Sequence, residues 1–230
     1  MKLRRFQLSC LALSISSGIA MAGSPDTSDA AETPSQPPYY VNLHGGISFP
    51  DDTDIAFAFQ NLRGVPGKGT NDDGYRIGGA LGVNFNELLS GEVEVSYTKA
   101  NVSSIFGGNP VNTTVQTSGY GSVLTTMANV VLGHDMGGWR PYIGGGAGAA
   151  LVNLNVSGIL SGANDNDWTW AAQGFAGVDF ALAENLTLGG RYRYQHIGAT
   201  NYRDGNNLPI GLDDTGVHSV EAVLTVKLGN

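Results

Sequence analysis

Eight stretches of alternating apolar and polar residues recur along this chain, joined by connections that are alternately long and short. Few folds tolerate that rhythm. In the last stretch Val220, Ala222, Leu224, Val226 and Leu228 share one parity, while Ser219, Glu221, Thr225 and Lys227 share the other. Successive side chains of a strand point to opposite faces, so one face is continuously apolar and the other carries charge. Segments of about ten residues with this split are the pattern of strands that cross an outer membrane.

The other stretches repeat it. Tyr39, Val41, Leu43, Ile47 and Phe49 oppose Tyr40, Asn42, His44 and Ser48; Tyr75, Ile77, Leu81, Val83 and Phe85 oppose Arg76, Ala80 and Asn84. Val93, Val95 and Tyr97 oppose Glu92, Glu94, Ser96 and Thr98, and Leu124, Ala128, Val130 and Leu132 oppose Asn129. The fifth, from Tyr142 to about Leu154, is so rich in Gly and Ala that its pattern leaves the register open. Ala172, Ala176, Val178 and Phe180 oppose Gln173 and Asp179; Leu186, Leu188, Tyr192 and Tyr194 oppose Thr187, Arg191, Arg193 and Gln195. No helical period competes.

The connections 50–73, 99–117, 155–167 and 198–216 are long, polar and rich in Gly, Asn and Asp, whereas 86–90, 135–140 and 181–185 are short. Short periplasmic turns and long surface loops are the asymmetry of outer-membrane barrels. Closure is required, because an open sheet edge in lipid leaves backbone N–H and C=O groups unpaired. The expected fold is all-β: a closed eight-stranded antiparallel up-and-down transmembrane barrel over residues 38–230.

Residues 1–22 read as an export signal, with Lys2, Arg4 and Arg5 before an apolar run from Leu8 to Ile19 and Ala20-Met21-Ala22 as the cleavage site. Residues 23–37 are rich in Pro, Ser, Thr and Asp and read as a disordered periplasmic lead-in. The single cysteine, Cys10, falls inside the signal, so thiol and thiolate-metal chemistry are not expected of the mature chain. Losing three of 12 basic residues leaves nine against 20 acidic ones, a net charge of −11. Nucleic-acid binding has no electrostatic basis in such a chain.

Alternation alone does not say which face meets lipid; a lipocalin-like barrel would turn its apolar face inward. The polar parity is dominated by Gly, Ala, Ser, Thr and Asn, which suit a crowded lumen better than a soluble exterior. Aromatic residues sit near strand ends on the apolar parity, as in an interfacial girdle: Tyr39, Phe49, Phe85, Tyr97, Phe180, Tyr192 and Tyr194, with Trp139 at a short turn. The inward parity carries Arg76, Arg191, Arg193 and Lys227 against Glu92, Glu94, Asp179 and Glu221. Buried charges must pair, so an ion network plugging the lumen is expected. Glu221 stands level with Arg191 and Arg193, and Glu92 and Glu94 slightly lower across the lumen.

The run Pro141-Tyr142-Ile143-Gly144-Gly145-Gly146-Ala147-Gly148, the segment from Asn185-Leu186-Thr187-Leu188 into Gly190-Arg191-Tyr192-Arg193-Tyr194, and His218-Ser219-Val220 resemble strands of the small eight-stranded outer-membrane barrels, the OmpA-like, OmpX and Opa-like proteins. The resemblance covers about Pro38 to Leu228. It implies an outer-membrane location, contact with outer-membrane lipid and lipopolysaccharide, assembly by the barrel-insertion machinery, and envelope or adhesion roles that use a host or surface ligand. Family members usually end in an aromatic residue read by that machinery; this sequence ends Lys227-Leu228-Gly229-Asn230.

Some relatives modify lipid A with a His and a Ser on the lipid-facing side. His218 and Ser219 are adjacent and so point to opposite faces, which disfavours an enzyme. His196 reads as an interfacial residue, His44 as a hydrogen-bonded lumen residue, and His134 as part of a turn. No histidine spacing suggests a metal site, and the Gly144–Gly148 run has no following Lys-Ser/Thr or helix for a phosphate loop. Asp51, Asp52, Asp54, Asp72, Asp73, Asp213 and Asp214 read as solvated loop carboxylates. The expectation is a non-enzymatic envelope and surface-contact protein without cofactor or metal; a small porin and a lipid A-modifying enzyme are the alternatives.

Overall fold

The computed structural model describes residues 39–59, 62–107, 113–157, 163–203 and 209–229. The expected export signal (1–22) and lead-in (23–37) lie outside the described residues. Eleven strands are present among them: β1 (Tyr39–Pro50), β2 (Thr53–Phe59), β3 (Leu62–Asn84), β4 (Leu89–Gly107), β5 (Thr113–Gly133), β6 (Trp139–Ser157), β7 (Ala163–Ala183), β8 (Leu186–Ile197), β9 (Thr200–Arg203), β10 (Pro209–Leu212) and β11 (Thr215–Leu228). Eight of them form the wall. β3, β4, β5, β6, β7, β8 and β11 pair antiparallel in succession, and β1 closes the ring by pairing with both β11 and β3. No described helix is long and apolar enough to cross a membrane, and the crossing elements are strands.

Burial follows the parity of the sequence. Along β8 the inward Arg191, Arg193 and Gln195 are buried and the outward Tyr192 and Tyr194 exposed; along β4 Glu92, Glu94 and Ser96 are buried and Val93 and Val95 exposed. A sheet whose exposed face is apolar and whose buried face is charged is the inverse of a water-soluble barrel, and it suits a lipid exterior.

Two expectations are corrected. The four long connections are not irregular throughout: residues 99–107 belong to β4, 113–117 to β5 and 62–73 to β3. Strand pairing therefore continues past the alternating region. Alternation vanishes there because a strand beyond the bilayer has water on both faces, while its backbone ladder still pays. Register shifts at Thr70–Gly74 between β3 and β4 and at Val102–Ser104 between β4 and β5 accompany the change. The first and fourth connections also contain strands of their own, with β10 bonded to β2 and β9.

The register left open in the fifth stretch is settled by its neighbours. Tyr142 and Ala150 point inward and Ile143 outward. Glycine on this wall makes room for inward side chains: a Cβ at Gly144 would strike the ring of Phe175, and one at Gly146 would strike Asn129. The short turn between β5 and β6 runs through Gly137 (φ 80°) and Gly138 (φ 103°), backbone that favours glycine.

Candidate functional site: the lumen ion cluster and the outer rim

Glu221 of β11 stands opposite Arg191 of β8 in the pairing register. Its carboxylate lies 2.7 Å from Arg191 Nη2, 3.0 Å from Arg193 Nε and 3.3 Å from Arg76 Nε. Glu94 lies 2.7 Å from Arg193 Nη1 and 3.2 Å from Arg76 Nη2. These five side chains are at most 3% exposed, so each charge depends on its partners for solvation. Gly46 of β1 is the register partner of both Glu221 and Arg76, and a Cβ there would strike the backbone of Val220. Its bare backbone lets Arg76 and Glu221 close over β1.

Neutral groups add further hydrogen bonds. Arg76 Nη1 donates to Gln195 Oε1 at 2.9 Å and to Thr98 Oγ1 at 3.2 Å, and its Nη2 donates to Ser96 Oγ at 2.6 Å. Arg193 Nη1 donates to Gln173 Oε1 at 2.5 Å, Gln173 Nε2 to Asn129 Oδ1 at 2.8 Å, and Asn129 Nδ2 to Glu94 Oε2 at 3.1 Å. Ser219 Oγ donates to Glu221 Oε1 at 3.1 Å. His44 is buried, with Nδ1 3.2 Å from Asn42 Oδ1 and Nε2 3.7 Å from Glu94. A network satisfied to this degree fixes one arrangement of the lumen.

Apolar layers flank the cluster. Toward the long connections Met127, Ala150, Ala171, Ile197 and Val217 pack together; Ile197 and Val217 lie beyond Arg193 and Glu221 on their own strands, and Met127 stands opposite Glu94. Toward the short turns Val131, Tyr142 and Phe175 form a second group, and the guanidinium carbons of Arg191 and Arg193 lie 5.1 and 5.3 Å from the Phe175 ring centroid.

The remaining predicted lumen charges stand apart. Glu92 accepts from Tyr40 Oη at 2.9 Å and, with Asp179 and Lys227, lines a cavity of about 40 Å³ toward the short-turn mouth that Arg191 shares with the cluster, room for about three waters. The eight charges thus form two storeys. Arg140, which the sequence pattern assigns to a turn, lies in β6 opposite Asp179 and lines the same cavity. Gln173 and Gln195 were visible only as inward polar positions, and His44, read as a hydrogen-bonded lumen residue, is buried beside Asn42.

All eight predicted girdle residues face outward. Seven are 39–64% exposed: Tyr39, Phe49, Phe85, Trp139, Phe180, Tyr192 and Tyr194. Tyr97 is half-buried, its ring 6.3 Å from that of Tyr75. Trp168 and Trp170 of β7 are exposed as well. On the outer face near the long connections, Tyr192 Oη is 2.6 Å from His218 Nδ1, and His218 Nε2 is 3.8 Å from Asp51. Beside it, His196 Nε2 is 3.3 Å from Asp214, with its ring 5.1 Å from Trp170. Ser219 is buried in the lumen, on the opposite face from His218. No group of three or more metal-ligating side chains occurs among the described residues.

An apolar exterior, a closed ring and an ionic interior define an outer-membrane β-barrel. The profile of the outer membrane protein beta-barrel domain matches residues 8–218, and the chain belongs to that family. It is similar to an uncharacterized protein of Brucella abortus, 26% identical over 196 residues that cover 71% of this chain and 69% of that protein. Among solved structures, neisserial surface protein A superposes with a TM-score of 0.52 at 16% identity, over 83% of this chain and 97% of its own. OprG of Pseudomonas aeruginosa gives 0.54 at 16% identity, over 84% and 98%. At such identities the likeness speaks for the fold.

Proposed function

We propose that this protein is a non-conducting, non-enzymatic outer-membrane barrel that braces the envelope and presents its four long connections to a host or surface ligand. The observation that carries the reading is the sealed lumen: Arg76, Arg191, Arg193, Glu94 and Glu221 are all but fully buried, with an apolar layer beyond them. An eight-stranded barrel has an interior just wide enough for side chains to fill, and here they fill it. The opposed directions of His218 and Ser219 support a role without acyl chemistry. Cleavage after Ala22 belongs to the same proposal, and the intact mass of the outer-membrane form tests it.

The small-porin reading draws on the polar cavity at the short-turn mouth. Planar-bilayer recording separates the two. Current at baseline is the expected result; stable, reproducible conductance steps would overturn the sealed-lumen reading.

A further inference from the structure

The outer rim is not uniform. Over β7, β8, β11 and the end of β1 it carries two histidine–aspartate pairs set among aromatic rings: His196 with Asp214 and Trp170, and His218 with Asp51, Tyr192 and Tyr194. The rings are held in place by one another. The His218 ring is 4.7 Å from the Tyr194 ring and 6.0 Å from the Tyr192 ring, and the Tyr192 hydroxyl meets its Nδ1. Elsewhere the rim differs: Tyr75 of β3, next to β1, packs on Tyr97, and farther round the ring the Lys99 ammonium of β4 lies 4.1 Å over the Tyr120 ring of β5.

We infer that this one-sided patch is a binding site for the saccharide headgroup of an outer-leaflet glycolipid. Three properties lead there. First, the patch offers aromatic faces, which attract the weakly positive C–H bonds of a sugar ring, beside imidazole nitrogens and carboxylates that hydrogen-bond hydroxyl and amide groups. Second, none of its five polar and aromatic side chains named above beside the two aspartates is Lys or Arg, so it lacks the cation that recognition of a lone phosphate would use. Third, the residues directly below it are apolar. Phe49 and Tyr194 flank His218 across the ladder, and two residues down the strand Val220 is flanked by Ile47 and Tyr192. Ile47 and Val220 are 56% and 57% exposed on this outward face. A molecule that fills both levels has a polyhydroxyl head and acyl chains.

The inference rests on the outward-face reading of the family fold, and its test does not depend on whether the lumen conducts. Detergent-purified protein is incubated with an unphosphorylated acylated diglucosamine or with phosphatidylethanolamine, and lipid retention is read by native mass spectrometry. The wild-type protein should retain the glycolipid at least tenfold over the phospholipid. Trp170→Leu alone should cut that preference several-fold, and Trp170→Leu with His218→Ala should abolish it; Tyr120→Ala, on β5 at the opposite side of the ring, should leave it intact. Each variant is first checked for the unheated, SDS-resistant band of a folded barrel, and the single Trp170 variant decides if the double one fails to fold. Equal retention of both lipids by the wild type, or an unchanged preference in folded Trp170→Leu, would overturn the inference.

Discussion

Glu221 and Arg191 face each other across β11 and β8, and their carboxylate and guanidinium meet at 2.7 Å where water does not reach. Glu221 also touches Arg193 and Arg76, so one carboxylate contacts all three buried cations, two of which Glu94 shares. Removing one partner of a buried pair typically costs about 3–5 kcal/mol, because the other is left uncompensated. Glu221→Ala should therefore lower the thermal midpoint of the barrel in detergent substantially. Glu221→Gln should recover little of the loss, since it restores shape and not charge. A midpoint unchanged in both variants would show that the cluster contributes nothing to stability.

The two storeys of the lumen predict different accessibility. Past residue 22 the sequence has no cysteine, so single thiols report cleanly. Thr225→Cys, on the wall of the short-turn cavity, should react with a water-soluble maleimide in the folded state. Val217→Cys, within the apolar layer, should stay protected until the barrel is unfolded. Equal labelling rates would mean that the layer does not exclude water.

Glycines on the same wall should differ sharply. A Cβ at Gly46 would strike the Val220 carbonyl and lie 2.7 Å from Glu221 Cα, whereas one at Gly121 meets nothing within 4 Å. Gly46→Ala should cost about 1–3 kcal/mol through overpacking, with Gly121→Ala near neutral in the same unfolding assay.

Lipid exposure has its own test. Val95 is outward, exposed and mid-strand in the membrane-crossing part of β4. Val95→Arg should cost about 2–4 kcal/mol if that face meets acyl chains near the midplane, read as reduced folding yield into lipid vesicles. The same change on a water-facing wall would be silent.

Strand number, parity and the short–long rhythm were legible because each wall strand faces two solvents, lipid and a packed lumen, and period-two alternation records that difference. The ionic group was legible for the same reason: Arg191, Arg193 and Glu221 stand on the parity opposite Tyr192 and Val220. Two things were not. Which charges touch depends on how far neighbouring strands are staggered, and parity carries no information on stagger; hence Glu92 and Asp179 stand apart from the cluster they were expected to join. The strand extensions past Lys99 and before Tyr120 were hidden because water on both sides erases alternation while the backbone still pairs. Arg140 was lost to a turn boundary placed two residues too far along the chain.

The short strands β2, β10 and β9 hydrogen-bond in series, with Phe57 opposite Ile210 and Ile210 opposite Tyr202. The first and last long connections are thereby stitched into one sheet rather than left as separate flaps. An antibody or receptor approaching that quarter of the rim would meet a single composite epitope, and variation in either excursion would have to preserve the shared seam.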